Sequence, residues 1–165
     1  MGISLKRLKS NILSLGEIGK DRELALDVTI NRAGNVIGRK RGRNDSLPVV
    51  ITGSNIDSVK NGGLFAGSLD VLSAIEVMES INEDGIHTDR PIEVVSFSDE
   101  EDVGFKKGTI RSQAFLGKFD EKSYFGLKDD QGITLKDVME DFGLNPMEIR
   151  KTSRKAERRK LCLNT

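Results

Sequence analysis

One cysteine and one histidine stand among the 165 residues, and both scarcities close off chemistry. A lone Cys162 cannot form an internal disulfide, and so little cysteine fits a reducing compartment. With His87 as the sole imidazole, placed in the loop Gly85-Ile86-His87-Thr88-Asp89, no Ser/His/Asp or Cys/His catalytic arrangement can be assembled. No apolar run approaches the roughly 20 residues a membrane span needs, and Met1–Asn11 lacks the apolar core of a secretory signal. A cytoplasmic protein with no membrane partner is expected. The glycines at Gly62-Gly63 and Gly67 do not have phosphate-binding spacing, which excludes a nucleotide site of that kind. Neither an internal repeat nor a heptad is visible.

Net charge is also lacking, since 26 basic residues balance 26 acidic ones. The balance is uneven along the chain. Residues 150–165 hold seven Lys/Arg and one Glu, against 19 basic and 25 acidic residues before them. A basic tail without interleaved aromatics reads as a solvated charge run rather than a nucleic-acid surface. Two parts are expected: residues 1–146 as a folded domain and 147–165 as a disordered basic tail or frayed helix.

What is present is α/β patterning. Leu5, Leu8, Ile12 and Leu15 mark one face of a first helix that Gly16 can end. Leu24–Ile30 alternates apolar and polar residues, Arg32-Ala33-Gly34-Asn35 reads as a turn, and Val36–Arg41 is the return strand. Val49–Thr52 is short enough to be a buried strand and runs at once into Gly53. Asn55 and Asp57 follow as alternate residues, then Gly62-Gly63 as a permissive turn. Val71, Leu72, Ile75, Met78 and Ile81 fall on one helical face within Leu69–Asn82. Ile92–Ser98 has strand composition and ends in Asp99-Glu100-Glu101-Asp102. Strand, helix and strand make a βαβ unit, whose parallel strands bring their carboxyl ends together. Asn55 and Asp57 are therefore expected beside Glu100 and Glu101, at the strand ends where open α/β sheets build sites. A short helix is expected around Ser112–Leu116, with Phe115, Leu116 and Phe119 returning to the core. Thr134 with Asp137 forms a capping-box pattern opening Leu135–Phe142.

Three stretches carry a family resemblance: Gly53-Ser54-Asn55-Ile56-Asp57-Ser58-Val59, Asn61-Gly62-Gly63-Leu64-Phe65-Ala66-Gly67 and Pro91–Glu101. In this order and spacing the chain resembles the metal-dependent amidohydrolases of the M20 peptidase superfamily. The nearest branch is that of N-carbamoyl-L-amino-acid hydrolase, allantoate amidohydrolase and β-ureidopropionase. The resemblance runs from about Leu5 to Pro146 and implies an α/β fold. That fold is three-layer αβα with a mostly parallel sheet and an N-terminal β-hairpin, part of a zinc-peptidase-like catalytic domain. It also implies two ions of zinc or manganese, a small N-carbamoyl amino acid or ureido substrate, and a homodimer. By resemblance Glu100 is the general base, Asp57 orients a histidine ligand, and Glu101 is a metal ligand.

The departures from the family pattern fall on the same site. The family has histidine where this chain has Asn55 and a metal-bridging aspartate where it has Ala66. It has glycine where Asp102 and Arg111 stand here. A further histidine ligand expected beyond the matching region is absent, as is a long helix between the first helix and the hairpin. Two dications 3.5 Å apart repel by roughly 20 kcal/mol at an effective dielectric near 20, and Ala66 offers no charge to offset it. Asn55 offers a neutral amide oxygen in place of imidazole. The expected function is thus a truncated, degenerate hydrolase of C–N bonds in linear amides or ureides, inactive as written. Weak Mg²⁺ or Mn²⁺ binding by the remaining carboxylates, with Asp70 and Asp102 adding charge, is weighed against ordinary solvated acids. The alternatives are a non-catalytic interaction protein and a pseudogene product.

Overall fold

A computed structural model describes residues 26–58, 67–101 and 104–154, together with the backbone of residues 159–161. The expected first helix, the Gly62-Gly63 turn, Ala66, Asp102 and Cys162 lie outside the described residues. Five strands form one sheet in the order β1-β2-β4-β3-β5, with β1 Asp27–Ile30, β2 Val36–Lys40, β3 Val49–Asn55, β4 Ile92–Phe97 and β5 Arg159–Leu161. The helices are α1 Ser68–Glu83, α2 Ile110–Phe115, α3 Glu121–Tyr124 and α4 Leu135–Asp141, followed by a 3-10 helix over Pro146–Thr152.

The β3–α1–β4 unit is as its patterning dictates. Val50 pairs Ile92 and Asn55 pairs Phe97 in a parallel ladder, so both strands end on the same edge. The hairpin β1–β2 joins through β2, antiparallel to β4, with Val36 opposite Ser96. Alternation along β4 then sends side chains to two layers. Val94 packs with Ala74 and Met78 of α1 on one face. On the other, Val95 and Phe97 join Ile37, Val49, Ile51 and Phe115 of α2, with Phe97 and Phe115 edge to face at 5.6 Å. A third cluster draws Ile110, Ala114, Phe119, Leu135, Met139 and Ile149 around the short helices. Gly53 sits in mid-strand for a steric reason. Its φ is +140°, and a Cβ there would lie 1.9 Å from the Val95 carbonyl oxygen.

Two expectations need correction, one in α1 and one at the C-terminal end. The buried stripe of α1 is Val71, Ala74 and Met78, at spacings of three and four, while Leu72 lies off it and is 51% exposed. The expected strand forms as β1, which lies at the edge of the sheet among the described residues and is exposed at every residue, Val28 and Ile30 included. The stretch expected to be a solvated tail is structured over residues 147–152 and 159–161. Ile149 and Thr152, three apart, share one face of a 3-10 helix and are both buried. The Arg154 N–H donates to the Phe115 carbonyl, and β5 runs parallel to β3, with Val49 opposite Arg159 and Ile51 opposite Leu161. The capping box of α4 is formed as expected by Thr134 and Asp137.

Candidate functional site

The carboxyl ends of β3 and β4 bring Asn55, Asp57, Glu100 and Glu101 together, as the strand–helix–strand pattern predicts. Chain direction explains how. Asp99 takes a left-handed backbone, φ +55°, immediately after β4. The turn points the next two backbone N–H groups at Asp57, whose Oδ2 accepts from Glu100 at 3.0 Å and from Glu101 at 2.9 Å. Its other oxygen, Oδ1, is buried without a partner.

Asn55 is held on three sides. Its Nδ2 donates to the Asp57 carbonyl at 3.0 Å and to Glu101 Oε1 at 3.3 Å, and its Oδ1 accepts from Ser54 Oγ at 3.2 Å. Two acceptors around one end fix which end is nitrogen, since the flipped amide would set oxygen against oxygen. Gly67, φ +72°, opens α1 against this amide, and a Cβ there would lie 2.7 Å from Asn55 Oδ1.

Glu100 is tied to α2, accepting from the Ser112 N–H at 2.8 Å through Oε1. Burial pushes its carboxyl above the ordinary range, the hydrogen bonds from Ser112 oppose this, and the Asp57 charge adds to it. Asp99 is likewise raised by burial and by Asp57, and Arg111 draws it back. The hairpin turn closes the other side. Asn35 Oδ1 accepts from the Ser98 N–H at 3.2 Å, and Ser98 Oγ donates to the Gly34 carbonyl at 2.9 Å. The sequence marks residues 32–35 only as a turn, so the roles of Asn35, Ser98 and Asp99 go unseen in it. Polar residues at a turn look alike whether or not they dock on a site. Asp70 is exposed in the first turn of α1, and His87 is exposed in the loop before β4, far along the strands from the cluster.

Among the described residues, no group of three or more His, Cys, Asp or Glu side chains is placed to hold a metal ion. The donor set explains this. Asn55 presents an N–H, not a lone pair, toward Glu101, and so occupies the carboxylate oxygen that a cation would use. These residues do not fit a metal ion as arranged.

The mixed α/β fold with a single open sheet is shared with amidases of known structure. The hydantoinase/carbamoylase family amidase from Burkholderia multivorans superposes with a TM-score of 0.68 at 31% identity, covering 86% of this chain and 40% of that one. No family model matches the sequence. In sequence, the chain is 38% identical over 175 residues to the N-carbamoyl-L-amino acid amidohydrolase of Geobacillus stearothermophilus, covering 91% of this chain and 42% of that enzyme. It is 32% identical over 133 residues to allantoate deiminase 1 of Glycine max, covering 79% of this chain and 27% of that protein. The chain is thus related to the N-carbamoyl-L-amino-acid and allantoate amidohydrolases, the branch its motifs indicate, and spans less than half the length of these relatives.

Proposed function

We propose that the chemistry this chain inherits is metal-dependent hydrolysis of a C–N bond in an N-carbamoyl amino acid or an allantoate-like ureido compound, and that the chain does not itself perform it. Glu100 holds the position of the general base, Asp57 that of the residue orienting a ligand, and Glu101 that of a ligand to zinc or manganese. The observation that carries the reading is the amide of Asn55, which satisfies Glu101 and the Asp57 carbonyl by hydrogen bonding where imidazole would present a lone pair. By the resemblance, Ala66 stands where the family has its bridging carboxylate. Hydrogen bonds have replaced ligation, and no catalytic step runs through such a centre. A cytoplasmic setting accords with the scarcity of cysteine.

Two measurements test this. The chain is assayed against N-carbamoyl-L-amino acids and allantoate with added Zn²⁺ or Mn²⁺, and titrated calorimetrically with Zn²⁺. No turnover and no tight zinc binding are expected. Asn55→His combined with Ala66→Asp should raise zinc affinity at least about tenfold, because imidazole and carboxylate are the donors the site lacks. Hydrolysis by the unaltered chain would sink the reading.

A further inference from the structure

The phase of the hydrogen-bond ladder fixes which backbone groups of β1 face off the sheet. The Asn31 N–H donates to the Asn35 carbonyl at 3.0 Å, so that pair is hydrogen-bonded across the hairpin and the next one, Ile30 with Val36, is not. Alternation turns the N–H and C=O of Thr29 and Asp27 toward β2, and those of Val28 and Ile30 away from it. The opposite end of the ladder agrees. The Val50 N–H donates to the Pro91 carbonyl, so Pro91, Glu93 and Val95 face β3 while Val94 faces β2. Gly38, paired with Val94, is thus turned toward β4, which leaves its other neighbour, Val28, facing outward. Among the described residues no strand lies beyond β1. An unpaired edge is a template for another strand.

Its side chains suit a strand that pairs with a copy of itself. Leu26 packs with Ala74 and Met78 of α1, so Val28 and Ile30 rise on that same side of the sheet. They are 43% and 41% exposed, and Gly38 opposite Val28 gives it no side-chain neighbour. Charge is self-complementary along the strand, with Asp27 at its start and Arg32 just past its end. Each has only a surface partner, Asp27 with Arg41 and Arg32 with Glu148, both at 3.2 Å. Antiparallel pairing centred on Thr29 sets Val28 opposite Ile30 of the second copy, as hydrogen-bonded pairs made by the outward groups. Asp27 then falls opposite Asn31 of the second copy and beside its Arg32, at both ends of the ladder. A slip of one residue would set Val28 and Ile30 against polar side chains, because it flips the facing sides.

We propose that β1 is a homodimerisation edge: two chains pair their β1 strands antiparallel about a two-fold axis at Thr29, joining their sheets into one. The contact is isologous, so a single set of residues supplies both halves. Being short, it gives a weak, concentration-dependent dimer. It lies wholly within residues 26–32, away from the carboxylate cluster, and does not depend on the reading of that site.

The test is sedimentation velocity of the full chain over a concentration series, where a shift from monomer to dimer and no further is expected. Thr29 is exposed and meets itself across the axis, so Thr29→Lys or Thr29→Glu sets like charges face to face. Each variant should dimerise at least about tenfold more weakly than the unaltered chain, a change of about 1.4 kcal/mol, and an equimolar mixture of the two should recover the dimer. Hydrogen exchange on the unaltered chain reads the edge without any substitution. The amides of Val28 and Ile30 should gain protection with concentration, while that of Thr29, already bonded to β2, should not change. A chain monomeric at every concentration, assemblies larger than a dimer, charge variants that dimerise as the unaltered chain does, or a mixture that stays monomeric overturns the proposal. So does full protection of Val28 and Ile30 in the dilute monomer, since the chain's own residues then cover the edge.

Discussion

One oxygen of the Asp57 carboxylate accepts the backbone N–H of Glu101 at 2.9 Å, and the same oxygen takes that of Glu100 at 3.0 Å. The acid therefore works as a clamp between strand ends, closing β3 onto the turn that follows β4. Hydrogen bonds to an ionised acceptor contribute about 1.5–3 kcal/mol each, more than neutral ones. Asp57→Asn keeps one acceptor oxygen but loses the charge, so a loss of about 1–3 kcal/mol in urea denaturation is expected. Asp57→Ala should cost more, since it leaves both N–H groups without their partner. A change below about 0.5 kcal/mol for Asp57→Ala would show that the turn holds its shape by other means.

Burial raises the pKa of Glu100 in the folded chain, and this fixes a sign. A carboxyl raised on folding binds its proton more readily folded than unfolded. Its contribution favours folding below the ordinary carboxylate range and is lost as pH rises through the folded value. Three exposed acids, Asp120, Asp130 and Asp137, and the half-buried Glu148 are lowered by their partners and act in the opposite sense, so the whole-chain curve mixes both. The difference between the unaltered chain and Glu100→Gln isolates the buried group. The glutamine variant should gain relative stability as pH rises through and above the ordinary carboxylate range, and the gap should level off once the folded Glu100 is ionised. A gap that stays flat or shrinks with rising pH would place Glu100 in contact with water.

The sequence made the βαβ unit readable because its signals are local: an apolar run, a helical stripe, a second run, each bounded by polar residues. Convergence of Asn55, Asp57, Glu100 and Glu101 then followed from parallel strands ending on one edge. What stayed hidden depends on residues far apart in the chain. Asn35 meets Ser98 across 63 positions, and Arg111 meets Ala33 across 78, and neither partner carries a pattern that names the other. The C-terminal elements depart from their sequence pattern for a different reason. Arg150, Lys151 and Arg154 look solvated in sequence, yet Arg154 lies over the Phe115 ring and reaches an acid in the middle of the sheet.

That acid is Glu93, and its setting yields the last expectation. Its side chain is 2% exposed in β4, 2.8 Å from Arg39 and 3.3 Å from Arg154, with Oε2 buried and unpartnered. The two arginines are 29% and 36% exposed, so each can turn to water if the glutamate is lost. Glu93 has no such outlet. Removing the cations strands a buried charge, which costs about 3–5 kcal/mol, whereas replacing a buried acid by an apolar group of similar volume is often near neutral. Arg39→Ala with Arg154→Ala should therefore destabilise the chain far more than Glu93→Met, as read by urea denaturation. Arg154 also precedes β5, whose only ladder is with β3 among the described residues. Arg154→Ala alone should then speed amide hydrogen exchange in residues 159–161 without altering exchange along the β3–β4 ladder. If Glu93→Met proves the costlier change, the arginines are not there to satisfy Glu93, and the C-terminal strand is held by its backbone pairing alone.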